Sequence, residues 1–162
     1  MELNGFEFIE NTLGMSLNLS ENDSEIKYKK NVTFKEIDTK NEFDLWLEPV
    51  LESFKIRSFR NNALKYCRDS AGYRHFILFE DNNPVSAASL FYSEGGTGIY
   101  FLCTNPLFRG KGMGDLLLKN LISSSRNKKN DYLTLHSSSE GMELYQKNGF
   151  EIYSKQAVFL KL

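Results

Sequence analysis

Val32-Thr33-Phe34-Lys35-Glu36-Ile37 alternates apolar with polar side chains, the period-two mark of a strand with one buried face. Met15 to Ser20 alternates in the same way and predicts a short strand ahead of it; Phe6, Phe8, Ile9 and Leu13 are apolar without a clear period. A charged stretch, Glu21 to Asn31, separates the two. After Ile37 the pattern becomes helical. Asp38 or Thr39 can cap a helix whose Phe43, Leu45, Trp46 and Leu47 crowd one face. Pro49 lacks an N–H and crowds the preceding turn, which predicts a kink or a restart there. A second helix is expected from about Ser58 to Ser70, ending before Gly72.

Tyr73 to Phe79 is rich in aromatic and branched residues, Asp81-Asn82-Asn83-Pro84 reads as a turn, and Val85 to Tyr92 returns, which makes a hairpin. Glu94 to Gly98 is a second turn, and the apolar run Ile99 to Cys103 predicts a strand buried on both faces. Past Asn105-Pro106 and a glycine-rich hexapeptide comes an amphipathic helix, with Leu117 one turn from Leu121 and Leu118 one turn from Ile122. Arg126, Lys128 and Lys129 suit its negative C-terminal end. Tyr132 to Leu135 is a strand, Ser139 to Lys147 a short helix, and Phe150 to Leu160 a long strand or a last hairpin. The order predicts a mixed α/β (α+β) domain whose sheet is mostly antiparallel. Residues 1–31 are too short for a domain and carry enough large apolar side chains to pack on the body formed by 32–162.

The chain has 162 residues, which fits one domain. Hydrophobic residues at 41% and charged residues at 25% are ordinary globular usage, so disorder and coiled coil are excluded. Twenty basic against 21 acidic residues leave a net charge of −1, which argues against a nucleic-acid partner. Cys67 and Cys103 are too few and too far apart for a disulfide framework or a paired metal site, and they fit a reducing, cytoplasmic setting. No apolar run is long enough to span a membrane, and Met1 to Gly5 has no basic n-region, so neither a membrane nor a secretory signal is expected.

The chemistry concentrates at Arg109-Gly110-Lys111-Gly112-Met113-Gly114, between an apolar strand and an amphipathic helix. The first N–H groups of a helix lack partners and its dipole favours anions there. Glycines let the backbone approach a bulky anion, and Arg109 and Lys111 add positive charge. These residues suit a pyrophosphate. A Walker A loop does not fit, since Gly110-Lys111 is followed by Gly112 and Asn105 stands where the first glycine belongs; the dinucleotide fingerprint is also absent. A second constellation, Ser137 to Phe150, opens with Ser137 and Glu140 as a capping box and closes with Gly149 as the left-handed residue that stops the helix. One strand and one helix separate Gly114 from Tyr145, which allows both at one edge of the sheet.

Together these two motifs resemble the GNAT superfamily of acyl-CoA-dependent N-acetyltransferases, over about residues 32–160. Arg109-x-x-Gly112-x-Gly114 is similar to the family's pyrophosphate loop, and Leu144-Tyr145-Gln146-Lys147-Asn148-Gly149-Phe150 to its segment after the penultimate strand. The resemblance implies acetyl-CoA as cosubstrate with no metal, and a small-molecule or peptide amine as acceptor. It implies that the N–H groups of Gly110, Lys111, Gly112, Met113 and Gly114, with Arg109 beside them, hold the pyrophosphate. Backbone groups of Leu102, Cys103 and Thr104 would pair with the pantetheine arm, one of them acting as an oxyanion donor. Tyr145 would be the general acid for the departing thiolate. Ser138 stands where the family often has an asparagine, and its hydroxyl is a shorter-reaching donor to the cofactor. Dimers are common in that family, and a homodimer is allowed here.

No carboxylate lies within Ile99–Thr104, so the base that deprotonates the amine is open among Glu94, His136, Glu140 and a water chain. Cys103 reads as core rather than nucleophile, and His75 and His136 as single histidines without a second metal ligand. A domain that binds CoA without catalysis, as a sensor or interaction module, would carry the same two motifs. The acceptor's identity is not legible.

Overall fold

The computed structural model describes residues 5–20, 26–28, 30–37, 40–55, 71–126 and 130–161. Along the chain run β1 (Phe6–Asn18), β2 (Val32–Ile37), α1 (Lys40–Phe54), β3 (Tyr73–Glu80), β4 (Asn83–Ser93), β5 (Gly96–Thr104), a 3-10 turn (Pro106–Phe108), α2 (Met113–Arg126), β6 (Tyr132–Ser137), α3 (Met142–Lys147) and β7 (Glu151–Lys161). The strands form one sheet in the order β2-β3-β4-β5-β6-β1-β7. Every neighbouring pair is antiparallel except β5–β6, which is parallel. The mixed, mostly antiparallel sheet flanked by helices is the architecture expected from the order of elements.

Period-two alternation sends side chains to two cores. Phe76 and Leu78 on β3 face α2, whose Leu117, Leu118, Leu121 and Ile122 are all fully buried, as the helical spacing predicts. Ile77 between them faces α1, with Trp46, Val50, Ala87 and Cys103. Trp46 is completely buried and its indole N–H donates to the Ala88 carbonyl at 2.9 Å, which satisfies its one donor. His75 is also core: its Nδ1 lies 2.7 Å from Ser89 Oγ, and its ring packs on Phe43 and Trp46.

Several sequence expectations are corrected. Pro49 does not restart α1, which is continuous from Lys40 to Phe54. Trp46 and Val50 clamp it to the sheet on either side of the proline, and the carbonyl left without a donor belongs to Leu45 on the exposed side. β1 is far longer than Met15–Ser20. It is an interior strand, with Leu13 to Asn18 paired to β6 and Phe6 to Ser16 paired to β7. Its first half is exposed on both faces, so no alternation marked it. The Asp81–Asn82 turn is tighter than expected, both residues having left-handed φ (51° and 65°), the conformation of a two-residue hairpin. Phe150 onward forms one strand and no second hairpin. The second helix at 58–70, the caps Asp38 and Thr39, Cys67, Lys128 and Lys129 lie outside the described residues. No helix among the described residues is long and apolar enough to cross a membrane.

Candidate active site

The parallel pair at the centre of the sheet is only two residue pairs long, Thr97 with Leu133 and Gly98 with Thr134. Beyond Gly98 the two strands diverge, while β5 stays paired to β4 as far as Ser86 opposite Thr104. From Ile99 to Thr104, β5 therefore turns one edge of its backbone towards an opening. The apolar run is not buried on both faces: Tyr100 is 45% exposed and Phe101 and Leu102 are half-buried, because they border that opening. An irregularity in the β4–β5 register between Ala87 and Ser89 faces Phe101, whose φ of 55° is rare for a bulky residue. The edge ring contact of Phe101 with Trp46 helps to hold it there.

The opening is a cleft of about 1200 Å³, and at one end of it stands the glycine loop. Gly110 and Gly112 have φ of 74° and 80°, and a Cβ on either would meet nothing within 4 Å. The loop's surface is open, as a backbone cradle requires. The first bond of α2 runs from Leu116 N–H to the Gly112 carbonyl, so the N–H groups of Met113, Gly114 and Asp115 have no carbonyl within the helix to bond. Arg109 is anchored beside them by its Nε donating to the Thr104 carbonyl at 3.2 Å. Lys111 lies instead over the Phe108 ring, 4.8 Å from its centroid. Thr104 Oγ1, 2.9 Å from Ser86 Oγ, is 3.3 Å from where a Gly114 Cβ would stand, so Gly114 serves close packing of α2 on β5. That donor set fits a pyrophosphate with an extended arm running along β5, as coenzyme A presents.

Asp115 joins α2 to α3. It accepts from Asn148 Nδ2 at 2.9 Å and pairs with Lys119 at 3.0 Å and Lys147 at 3.5 Å. Burial pushes its carboxyl up, but the bonds from Asn148 and Lys119 and the charges of Lys119 and Lys147 outweigh it and hold the pKa below the usual value. Its charge is thus neutralised beside a loop that suits an anion.

Tyr145 and Gly114 border the same cleft, as the spacing suggested. Tyr145 is 8% exposed, packs edge-on against Phe150, and burial pushes its phenol up to about 12. It stays protonated at neutral pH. Burial likewise pushes the Cys103 thiol up to about 12; the thiol touches the Ala87 carbonyl at 3.7 Å and behaves as core, not as a nucleophile. Gly149 has the expected left-handed φ, 87°. The capping box does not form. Ser137 ends β6 and donates to the Ser138 carbonyl, and α3 begins at Met142 behind Gly141, with no side-chain cap. Ser138 Oγ accepts from Gly141 N–H at 3.3 Å and borders the cleft.

Of the three side chains weighed as base, His136 and Glu140 border the cleft and Glu94 does not. Alternation along β6 puts Leu133 and Leu135 in the core with Tyr145, and therefore turns Thr134 and His136 to the opposite face. The strands that continue this face, β1 and β7, lie far from β6 in the sequence, and no local pattern joins the three. Gly14 pairs with His136 on one side and Ser154 on the other, and a Cβ there would fall 2.2 Å from Ser154 Oγ and 3.8 Å from His136 Cδ2. Glu10 and Thr12 of β1 border the same end. A glycine inside a strand is the signal that marked the spot, since it advertises close approach.

The family profile of the acetyltransferase (GNAT) domain matches residues 34–159. The chain belongs to the GNAT acetyltransferase family. Among solved structures, this GNAT chain is similar to a GCN5-related N-acetyltransferase from Sphaerobacter thermophilus, with a TM-score of 0.80 at 14% identity, over 96% of this chain and 52% of that one. It is similar to another from Kribbella flavida, with a TM-score of 0.72 at 13% identity, over 96% and 59%. The aminoglycoside acetyltransferase meta-AAC0020 from an uncultured soil metagenomic sample, in complex with trehalose, matches with a TM-score of 0.63 at 14% identity, over 74% and 88%. At such identities the likeness is one of fold. The chain spans a little over half the length of the first two. No curated protein matches it.

Proposed function

We propose that this chain is an N-acetyltransferase that moves the acetyl group of acetyl-CoA onto an amine by direct attack. The observation that carries the reading is the divergence of β5 from β6 immediately beside the open glycine loop at the start of α2. The N–H groups from Gly110 to Gly114 and the Arg109 guanidinium hold the pyrophosphate. Leu102, Cys103 and Thr104 form the stretch of β5 that borders the cleft beyond the end of its pairing with β6, where the pantetheine arm would lie in the manner of an added strand, and Ser138 offers a hydroxyl. An N–H on the open edge of β5 stabilises the carbonyl oxygen as charge develops on it.

The two faces of the cleft then divide the proton work. His136, on the open face, takes the proton that the attacking amine must lose, with Glu10 and Glu140 giving that end a negative lining suited to a cationic small-molecule or peptide amine. Tyr145, on the core face, donates a hydrogen bond to the sulfur as the C–S bond breaks. A phenol near 12 is a weaker acid than an ordinary thiol, so Tyr145 first stabilises the thiolate by its hydrogen bond. The thiolate then takes its proton from solvent at the open cleft, and Tyr145 keeps its own. Holding both reactants in line supplies much of the acceleration.

The test is calorimetric titration with acetyl-CoA, followed by thiol release against a panel of diamines, aminoglycosides and peptides. Micromolar binding with turnover on an amine supports the reading. Binding with no turnover on any amine, and no effect of Tyr145→Phe, favours a CoA-binding module. A folded chain that does not bind acetyl-CoA refutes both.

A further inference from the structure

Gly14 sits inside β1, where glycine weakens a strand because it adds backbone freedom and brings no side chain to pack. Its φ is not left-handed, so the backbone does not require it. What requires it is space. The place a Cβ would take is filled by the Ser154 hydroxyl, and the same place is 3.8 Å from His136 Cδ2, the ring carbon bonded to Nε2. His136, Gly14 and Ser154 form one row across β6, β1 and β7, and all three border the cleft. The missing side chain at 14 therefore removes the wall that would stand between the hydroxyl and the imidazole. Both side chains are exposed, and neither has a hydrogen-bond partner among the described residues. The hydroxyl lies over the strand with its lone pairs open.

We propose that Ser154 positions the attacking amine, its Oγ accepting one N–H of the nitrogen while His136 removes the proton from another. This role rests on the acetyl-transfer reading. A neutral primary amine brings a lone pair and two hydrogens to the thioester carbon. As the C–N bond forms, the C–S electron pair leaves with the sulfur and one hydrogen goes to His136 as a proton. The other stays as the amide N–H, held on Ser154. A secondary amine has a single hydrogen, which His136 must take, and none for Ser154. The hydroxyl therefore orients primary amines and does nothing for secondary ones.

The test is steady-state thiol release, wild type against Ser154→Ala. It uses the fastest amine of the diamine, aminoglycoside and peptide panel, and the same amine methylated on its reacting nitrogen. Ser154→Ala should lower kcat/KM about tenfold for the primary amine and leave the N-methyl amine within about twofold. Gly14→Ala puts a methyl group where the hydroxyl lies and turns it away, so it should cause the same loss. The double variant, whose two Cβ atoms stand an ordinary 3.5 Å apart, should lose no more than either, because both changes remove one contact. Equal factors for the two amines, or no change for either, overturn the role of Ser154 while leaving acetyl transfer standing. So do additive losses in the double variant. A wild type that binds acetyl-CoA but acetylates no amine refutes the acetyl-transfer reading itself, and this role with it. The comparison of the two amines in Ser154→Ala decides the matter even where Gly14→Ala does not fold.

Discussion

Replacing Gly112 tests the pyrophosphate cradle in a way the geometry makes quantitative. At φ 80° any other residue bears the left-handed strain, about 1 kcal/mol. A Cβ there meets nothing within 4 Å, so no steric cost is added. Gly112→Ala and Gly112→Glu should therefore lose similar stability, a melting shift of about 2–4 °C for a chain of this size. Their acetyl-CoA affinities should differ sharply. A carboxylate about 5 Å from a phosphate charge, at an effective dielectric of about 20, is repelled by roughly 3 kcal/mol. That is about two decades in Kd beyond whatever the methyl group costs. Calorimetry at low and high salt, beside thermal melts, measures both quantities, and the Glu penalty should shrink with salt. If Gly112→Glu binds as tightly as Gly112→Ala, the pyrophosphate does not sit at this loop.

Tyr145→Phe should leave acetyl-CoA affinity within twofold and lower kcat about a hundredfold, by steady-state thiol release. His136→Gln should lower turnover with little change in acetyl-CoA binding. Cys103 and Tyr145, ordinarily 9.0 and 10.0, are both raised to about 12, so their contribution to stability is full below pH 9 and is lost as pH rises towards 12. Urea unfolding should weaken by about 1.4 kcal/mol per pH unit for each group in that window, and Cys103→Ala should flatten the slope. Asp115 is shifted the other way, so the stability it contributes is present above its ordinary pKa of 3.8 and is lost as pH falls below that value. The melting gap between wild type and Asp115→Asn should accordingly close in acid.

The strands with one buried face were legible because alternation reports burial directly, as at β2 and β3, and α2 was legible from its paired leucines. The glycine loop and Tyr145 stand out in the sequence because the motifs they resemble fix residue types and spacing, and the fold brings both to one cleft. What escaped was set by partners distant in the chain. Pro49 predicts a kink or a restart, and α1 runs on through it because Trp46 and Val50 pack on the sheet on either side. The first half of β1 has no buried face and so no period. The end of the cleft that holds His136, Gly14 and Ser154 is assembled from three strands that no local pattern connects. Ser137 and Glu140 spell a capping box, but β6 claims Ser137 for the sheet.

The place of β1 between β6 and β7 also governs when the molecule can become itself. Phe6 pairs with Lys161, so the first of the described strands is completed by the last of them. Contacts so distant along the chain carry a large loop-closure cost before they reward it, and they slow folding. On a ribosome β1 must wait for β6 and β7 before either of its strand partners exists. The face that carries Gly14, His136 and Ser154 consequently depends on pairings that close late, and it is lost if either β1 or β7 is removed.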